Sequence, residues 1–296
     1  MKKNKIITIA EGCDNHFGSI SLAKKMIVEA KKAGADYIKF QHHIPDEEML
    51  KKVPRSKNFK ISLYNFLKKN ALKIEDHEIL KKFSEKNKIK YLCTPFSLLA
   101  AQELNDIGLK IFKIGSGEFL DTPFIEGVLK FKKPVIFSTG MSSIDEIDRM
   151  YKFIKKRARN EIAFMNCTSE YPPDNKDLNL GFIIEMSKRY KDFIIGHSDH
   201  TNNIYSSIVA ASMGAKIIEK HVYFGNKNYG PDKDVSISFN QLKELIRVIN
   251  DLKYSFSADK RIYKKEKSIL KWARRSIVTT KQIKKGEKLS KENIWS

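Results

Sequence analysis

Lysines and hydroxyl groups stand at the ends of several short apolar runs in this sequence. Together they supply two ammonium ions and three hydroxyls, which are ligands that a phosphate or a carboxylate takes. The group consists of Lys39, Thr94, Lys113, Ser116 and Ser138. The segment Gly115-Ser116-Gly117 adds backbone N–H groups without bulky side chains. We therefore predict a site for a small anion that carries both phosphate and carboxylate.

A second group of residues has the chemistry of a metal site. His200 and His221 end two apolar runs, and Glu11 ends the first run of the chain. Imidazole and carboxylate ligands suit Mn²⁺ or a similar divalent ion, and the ligand types do not exclude Zn²⁺. Glu118 is a further acid that could transfer a proton. Each of these residues alone has an ordinary structural explanation, such as a salt bridge at Glu11, but their joint placement favours function.

Eight short β-branched runs alternate with amphipathic segments and predict the elements that position these residues. The predicted strands are Ile6–Ala10, Tyr37–Phe40, Ile89–Cys93, Ile111–Ile114, Val135–Phe137, Ala163–Asn166, Phe193–Ile195 and Lys216–Glu219. The clearest helical segments are Ser21–Ala33, Asp76–Asn87 and Ile144–Lys156. Gly34, Gly108 and Gly214 follow helical segments and are typical of helix C-caps.

Eight strands with intervening helices predict an α/β fold, a (β/α)₈ TIM barrel. The alternative is a doubly wound open sheet, which usually carries a GxGxxG loop after its first strand. The first loop here, residues 11–18, has no such motif. In barrel enzymes the functional groups collect at the C-terminal ends of the strands. Polar residues follow every predicted strand, as this fold would require of an active site.

Composition bounds the partners of the protein. The chain has 296 residues, three cysteines and a formal net charge of +21. An odd number of cysteines without a CxxC pair indicates a reducing compartment, so we expect a cytoplasmic protein. No run of about 18 apolar residues occurs, so we expect no membrane span. The excess of lysine is compatible with nucleic-acid binding. Because the lysines are spread along the helical segments, solvated helix faces are the favoured interpretation and nucleic acid is an unlikely partner.

At these residues the sequence resembles the sialic acid synthase family, the NeuB-like phosphoenolpyruvate-dependent nonulosonate synthases. The resemblance covers residues 6–240 in order. Its motifs are IAEGCDNHFG (9–18), ADYIKFQ (35–41), CTPF (93–96), FKIGSGE (112–118), STGM (138–141), NCTSEYP (166–172), IGHSDHT (195–201), EKHV (219–222) and GPDKDVS (230–236). Any one of these motifs is weak, but the set is specific.

The resemblance implies a condensation that uses Mn²⁺ or Mg²⁺. Phosphoenolpyruvate would attack the aldehyde of an N-acylated mannosamine-type sugar, and phosphate would leave by C–O cleavage. By position, His200 and His221 would bind the metal beside Glu11, the lysine and hydroxyl group would hold phosphoenolpyruvate, and Glu11, Glu118 and Lys113 would be catalytic. The residues that would face the sugar are Gln41, Asn58, Phe96, Ser169, Tyr171 and Asp232.

The chain departs from the family at several positions. Cys13 replaces a glycine that is common in the first loop, His197 stands where leucine is frequent, and Ser169 stands where sialic acid synthases often carry asparagine. Residues 1–272 are expected to form the catalytic barrel, and residues 273–296 a partial antifreeze-like (SAF) segment. The resemblance also implies a homodimer and a role for an SAF-type domain, here acting in trans.

Two other functions compete with the nonulosonate synthase. One is a related condensing enzyme that joins phosphoenolpyruvate to a phosphorylated aldose. The GPD segment at residues 230–232 and the SAF-like tail favour the nonulosonate branch. The other is a catalytically weak barrel that binds sugar or nucleic acid, for which binding that survives moderate salt would be the sign. The substituents of the acceptor sugar are left open.

Overall fold

The computed structural model describes residues 5–52, 61–224, 230–252, 254–255 and 260–296. The chain divides into two compact units, residues 1–253 and 254–296. The division of the chain at residue 273 into a catalytic barrel and a partial SAF segment stays a prediction. No helix in these ranges is long and apolar enough to cross a membrane.

The first unit is a closed barrel of eight parallel strands. Each strand pairs with the next along the chain, and β8 returns to pair with β1. The strands are β1 (Ile7–Glu11), β2 (Tyr37–His42), β3 (Lys90–Pro95), β4 (Phe112–Ile114), β5 (Val135–Ser138), β6 (Ile162–Cys167), β7 (Ile194–Asp199), β8 (Ile217–Tyr223) and a short β9 (Ile237–Ser238) that extends the edge of β8. All eight predicted strands are present, so the barrel expected from the sequence is confirmed.

Helices alternate with the strands along the chain. They are α1 (Ile20–Ala33), α2 (Pro45–Glu48), α3 (Leu63–Asn70), α4 (Ile74–Lys86), α5 (Leu98–Asp106), α6 (Thr122–Leu129), α7 (Ile144–Arg157), α8 (Phe182–Arg189), α9 (Tyr205–Ser212) and α10 (Phe239–Leu252). Serines at 19, 97 and 143 cap α1, α5 and α7 through their side-chain oxygens. Gly34, with a φ of 94°, ends α1 as a left-handed cap, as the sequence predicted.

The apolar core has two layers. One lies inside the barrel and includes Ile9, Leu92, Met165 and Ile217. The other lies between the strands and the helices, where the rings of Phe119, Phe137 and Phe164 pack edge to face. Because both faces of each strand are buried, the strands form continuous apolar runs that end abruptly in polar residues.

The second unit holds one helix, α11 (Glu266–Ala273), and an antiparallel strand pair, β10 (Val278–Thr279) and β11 (Ile294–Trp295), within its described residues. Asn293 is buried in this unit, where its side-chain amide donates to the backbone oxygen of Lys288 at 3.0 Å. The strand-like stretches and the Lys-Gly turn expected from the sequence are present. The relation of this unit to an SAF domain stays a prediction.

Candidate active site

A cavity of about 390 Å³ opens at the C-terminal ends of the barrel strands. Nearly all the residues singled out from the sequence line it. They are Lys39, Gln41, Thr94, Phe96, Lys113, Ser116, Glu118, Ser138, Ser169, Tyr171, His200, His221 and Asp232. Residues from distant parts of the chain are therefore brought to one place by the closure of the barrel. Asn58 lies outside the described residues.

One side of the cavity is built from lysines and hydroxyls. Lys113 is buried, and its ammonium donates to Ser138 Oγ at 2.6 Å and to the backbone oxygen of Ile114 at 3.1 Å. Ser116 Oγ accepts a hydrogen bond from the backbone N–H of Gly140 at 3.1 Å. The buried hydroxyl of Thr94 has no partner among the described residues. This surface therefore offers donors that an anion in the cavity could use.

A buried carboxylate, Glu219, lies between the two lysines. Its oxygens are 2.9 Å from Lys39 Nζ and 3.9 Å from Lys113 Nζ, and Ser198 Oγ donates to it at 3.0 Å. Burial opposes the charge of Glu219, but the two lysines outweigh it and lower its pKa to about 2. Glu219 ends a predicted strand, but no role was predicted for it from the sequence. Glu219 and His221 are two residues apart on β8 and therefore lie on the same face of the strand. This spacing indicates that both side chains point to the barrel interior.

Glu11, at the end of β1, forms a buried ion pair with Lys39. Its carboxylate lies 2.8 Å from Lys39 Nζ and accepts the backbone N–H of Cys13 at 2.7 Å. It does not belong to a three-ligand group with His200 and His221 among the described residues. The parallel register pairs Glu11 with Lys39 across β1 and β2, so the carboxylate meets its neighbouring cation. Glu11 is therefore an ion-pair partner of Lys39, and its expected place beside the metal stays a prediction.

Lys39 is held between Glu11 and Glu219 in a buried site. Burial lowers the pKa of Lys39 to about 8, and Lys113 acts in the same direction, whereas Glu219 opposes both. Two lysines and two carboxylates, whose formal charges cancel, therefore lie together in the wall of the cavity. An anion that enters can take up donors from the lysines, which are already held in place.

His200 and His221 form another part of the cavity wall, with ring centroids 5.2 Å apart. His200 Nδ1 is hydrogen-bonded to the backbone oxygen of Thr168 at 2.8 Å, which makes Nε2 the nitrogen that can bind a metal. Burial lowers the pKa of His200 to about 4, and burial together with His200 lowers the pKa of His221 well below its usual value. Both imidazoles are therefore neutral at pH 7, the state in which histidine binds a metal.

A buried ring nitrogen without a hydrogen-bond partner in the described part of the chain also fits a cation site at this part of the cavity. The buried Nδ1 of His221 has no partner among the described residues. Among the described residues, Cys13, His221 and Asp232 form a group of three possible metal ligands whose ligand atoms lie within 4.8 Å of one another. The two histidines expected from the sequence are thus brought together, and Cys13 and Asp232 are further neighbours of His221.

Glu118 lies at the rim on the loop after β4. Burial raises the pKa of Glu118 to about 7, while His43 and Lys113 partly oppose this shift. One of its carboxyl oxygens is buried without a partner among the described residues and lies against Gly115. A Cβ at Gly115 would come within 2.7 Å of that oxygen, so glycine is needed for the carboxyl to occupy this position. A carboxyl with this pKa can exchange a proton near neutrality.

The rest of the cavity wall is formed by the residues that are predicted to contact the sugar. The Tyr171 ring stacks on His200 at 4.5 Å, and Phe96 stacks on His43 at 4.1 Å. His43 also bonds Gln41 at 3.0 Å and is hydrogen-bonded to Glu48, so it fixes two of the predicted sugar-facing side chains. His43 was not among the residues predicted from the sequence, because a histidine two residues beyond the strand motif gives no signal of its own.

The fold and the cavity together define a class: a (β/α)₈ barrel whose charged cavity lies where barrel enzymes have their active sites. The model of the NeuB family matches residues 26–261 of this sequence. The chain therefore belongs to the NeuB family.

Known proteins and structures agree with this assignment. The chain is 34% identical over 299 residues to the N,N'-diacetyllegionaminic acid synthase of Campylobacter jejuni, covering 98% of this chain and 89% of that protein. It is 37% identical over 287 residues to an uncharacterized protein of Methanocaldococcus jannaschii, covering 97% of this chain and 82% of that protein. The crystal structure of N-acetylneuraminic acid (sialic acid) synthetase from Leptospira borgpetersenii in complex with citrate superposes with a TM-score of 0.82 at 28% identity, covering 91% of each chain.

Proposed function

We propose that this protein condenses phosphoenolpyruvate with the aldehyde of an N-acylated mannosamine-type or related hexosamine, giving a nonulosonic acid and inorganic phosphate. The observation that carries the proposal is the cavity itself, which is lined both by lysines and hydroxyls and by two neutral imidazoles. The names of the legionaminic acid and sialic acid relatives support the same class of product. The acceptor follows from neither, because these relatives differ in their products.

The donor would lie on the lysine side. Lys39 and Lys113 would pair with its phosphate and carboxylate, and the hydroxyls of Thr94, Ser116 and Ser138 would complete the contacts. Charge-assisted hydrogen bonds of this kind contribute about 1.5–3 kcal/mol each. Glu11 and Glu219 would hold the Lys39 ammonium in position before the donor arrives. The acceptor would lie between the donor and the rim, against Gln41, Phe96, Ser169, Tyr171 and Asp232.

The reaction balances without a redox partner. A bond forms between C3 of phosphoenolpyruvate and the aldehyde carbon, water adds at C2, and the C2–O bond to phosphate breaks. A divalent ion held by His200 and His221 would polarise the aldehyde oxygen and orient the water. Glu118, protonated for part of the time at pH 7, would donate a proton to the oxygen of the former aldehyde. These roles account for the polar groups on both sides of the cavity.

Phosphate release from phosphoenolpyruvate across a panel of hexosamines tests the proposal. With ¹⁸O in the bridging position, C–O cleavage places the label in phosphate, whereas attack on phosphorus leaves it with the three-carbon fragment. Product masses show whether the two substrates have been joined. We expect release that depends on one class of hexosamine, labelled phosphate and a joined product. Release without a sugar, or a label retained in pyruvate, would identify a phosphatase and contradict the proposal.

A further inference from the structure

Three side chains of different chemistry meet at the edge of the cavity. The thiol of Cys13, the imidazole of His221 and the carboxylate of Asp232 each place a ligand atom within 4.8 Å of the other two. Cys13 and His221 are buried, and all three residues line the cavity. This group was not expected from the sequence, which gave the cysteines no chemical role.

Two loops far apart in the sequence build the group. Cys13 follows β1, where its backbone N–H donates to Glu11 and its φ is 43°. Asp232 follows β8, and its backbone N–H donates to Asn15 Oδ1 at 3.4 Å. The Asn15 amide also donates to the backbone oxygen of Val222 at 3.0 Å, just after His221. Asn15 therefore ties the first loop, the loop at residue 232 and the end of β8 together.

Glycine at 230 is required for this closure. A Cβ at Gly230 would overlap the side chain and backbone of Asn15. Only a residue without a side chain lets the backbone approach Asn15 so closely. The position of Asp232 beside Cys13 is thus fixed by the backbone.

The arrangement of the three ligands favours a shared ion over a nucleophile relay. In a thiol–imidazole–carboxylate relay, the thiol and the carboxylate contact opposite nitrogens of the ring. Here the ligand atoms of Cys13 and Asp232 lie within 4.8 Å of each other as well as of the His221 nitrogen, which is too close for contacts at opposite nitrogens of the ring. A triangle of sulfur, nitrogen and oxygen around one point is the form of a mixed metal site. The buried Nδ1 of His221 has no partner among the described residues, which leaves this ring free to be a ligand.

We propose that the divalent ion bound at His221 is also ligated by Cys13 and Asp232, and that the site therefore selects Zn²⁺, Co²⁺ or Fe²⁺ over Mg²⁺. The inference rests on the proposed function for the presence of a cation at His221. Thiolate ligands prefer the softer ions, whereas carboxylate and water suit Mg²⁺ and Mn²⁺. Cys13, which stands where the family commonly has glycine, would give this chain a metal preference of its own.

Cobalt spectroscopy tests the thiolate directly. Metal-free protein is titrated with Co²⁺, and a near-ultraviolet thiolate-to-cobalt charge-transfer band is expected in the wild type. Cys13→Ser should remove the band. Cys167→Ser is the matched control, because Cys167 lines the same cavity outside the three-residue group, and this variant should keep the band. A wild type that binds Co²⁺ without the band, or a band that survives Cys13→Ser, would overturn the proposal, as would a wild type that binds no Co²⁺.

Metal affinities supply a second readout. Cys13→Gly places the residue with least strain at a φ of 43°, so this variant is expected to fold. Because even loss of an outer-shell contact costs 10–100-fold in metal affinity, we expect Cys13→Gly to weaken Zn²⁺ binding by about 100-fold or more. Mn²⁺ binding should change by less than about tenfold, since a thiolate adds little to its affinity. Equal losses for both ions would contradict a thiolate ligand.

These measurements do not depend on turnover. If the charge-transfer band forms but the protein never releases phosphate from phosphoenolpyruvate, the metal site is supported and the proposed function is refuted. Condensation by a protein without the band would refute only the ligation by Cys13.

Discussion

The ammonium of Lys220 lies 3.0 Å from the carboxylate of Asp199, in a buried ion pair that joins β7 to β8. The two residues face each other in the strand register, and each immediately precedes one of the two cavity histidines. Burial opposes the charge of Asp199, but Lys220 outweighs it and holds the pKa of the carboxyl below its usual range. The ion pair therefore fixes the register at which His200 and His221 enter the cavity.

Removal of one partner from this ion pair should destabilise the barrel. Lys220→Met leaves the Asp199 charge buried and unpaired, which typically costs about 3–5 kcal/mol. Urea unfolding measures the loss. Lys155→Met is the control, because its ion pair with Asp192 is exposed, and it should change the free energy of unfolding by less than about 1 kcal/mol. Similar losses of unfolding free energy in the two variants would show that the buried ion pair stabilises the fold no more than the exposed one.

The lysine side of the cavity should control the affinity for the donor. Lys113→Met removes a buried ammonium that donates to Ser138, and it should weaken phosphoenolpyruvate binding by at least about tenfold. Calorimetry measures the donor affinity without requiring turnover. Lys25→Met, on the exposed face of α1, controls for the general effect of one fewer positive charge. An unchanged affinity and an unchanged kcat for Lys113→Met would exclude this residue from the donor site.

The pH dependence of the reaction should report the ionisation of Glu118. Because burial raises its pKa to about 7, the carboxyl is protonated below neutrality and loses its proton above it. If Glu118 donates a proton, kcat/KM falls as the pH rises through about 7. Glu118→Gln should lower the rate and remove this limb from the profile. A limb that persists in Glu118→Gln, or one that falls towards acid, would assign the proton transfer to another group.

Buried histidines under the barrel mouth should make the fold sensitive to acid. His77 packs edge-on against His42 at 4.7 Å and bonds the Tyr91 hydroxyl at 2.7 Å. Burial, followed by repulsion from His42, lowers the pKa of His77 well below the ordinary histidine value of 6.5. Below about pH 6.5, His77 therefore binds a proton in the unfolded chain but not in the folded protein. Stability from this residue is thus complete above about pH 6.5 and falls at lower pH, by up to about 1.4 kcal/mol per pH unit.

A variant without the titrating group tests this acid sensitivity. His77→Phe keeps a ring at the position, so the loss of unfolding free energy between about pH 7 and about pH 5 should be smaller than in the wild type. Tyr91→Phe removes the same hydrogen bond without removing the imidazole, and it should keep the wild-type dependence. If His77→Phe and the wild type lost equal stability on acidification, His77 would not be a source of the effect.

The sequence by itself determined the barrel and most of the cavity. Eight apolar runs that end in polar residues can be arranged in few ways, and a closed parallel barrel puts every such end on one face. Lys39, Lys113, His200 and His221 are therefore assigned to one site by their positions along the chain, because strand period and chain order are local properties of the sequence.

The tertiary structure decided which of these groups touch. Parallel pairing put Glu11 against Lys39, and it placed Glu219 between the two lysines. The contact between Cys13 and Asp232 depends on the packing of Gly230 against Asn15. Asn15 and Asp232, which are hydrogen-bonded, are 217 residues apart in the sequence. Such contacts are set by the register between strands and by the close approach of two loops, and neither is written in the spacing of residues along the sequence.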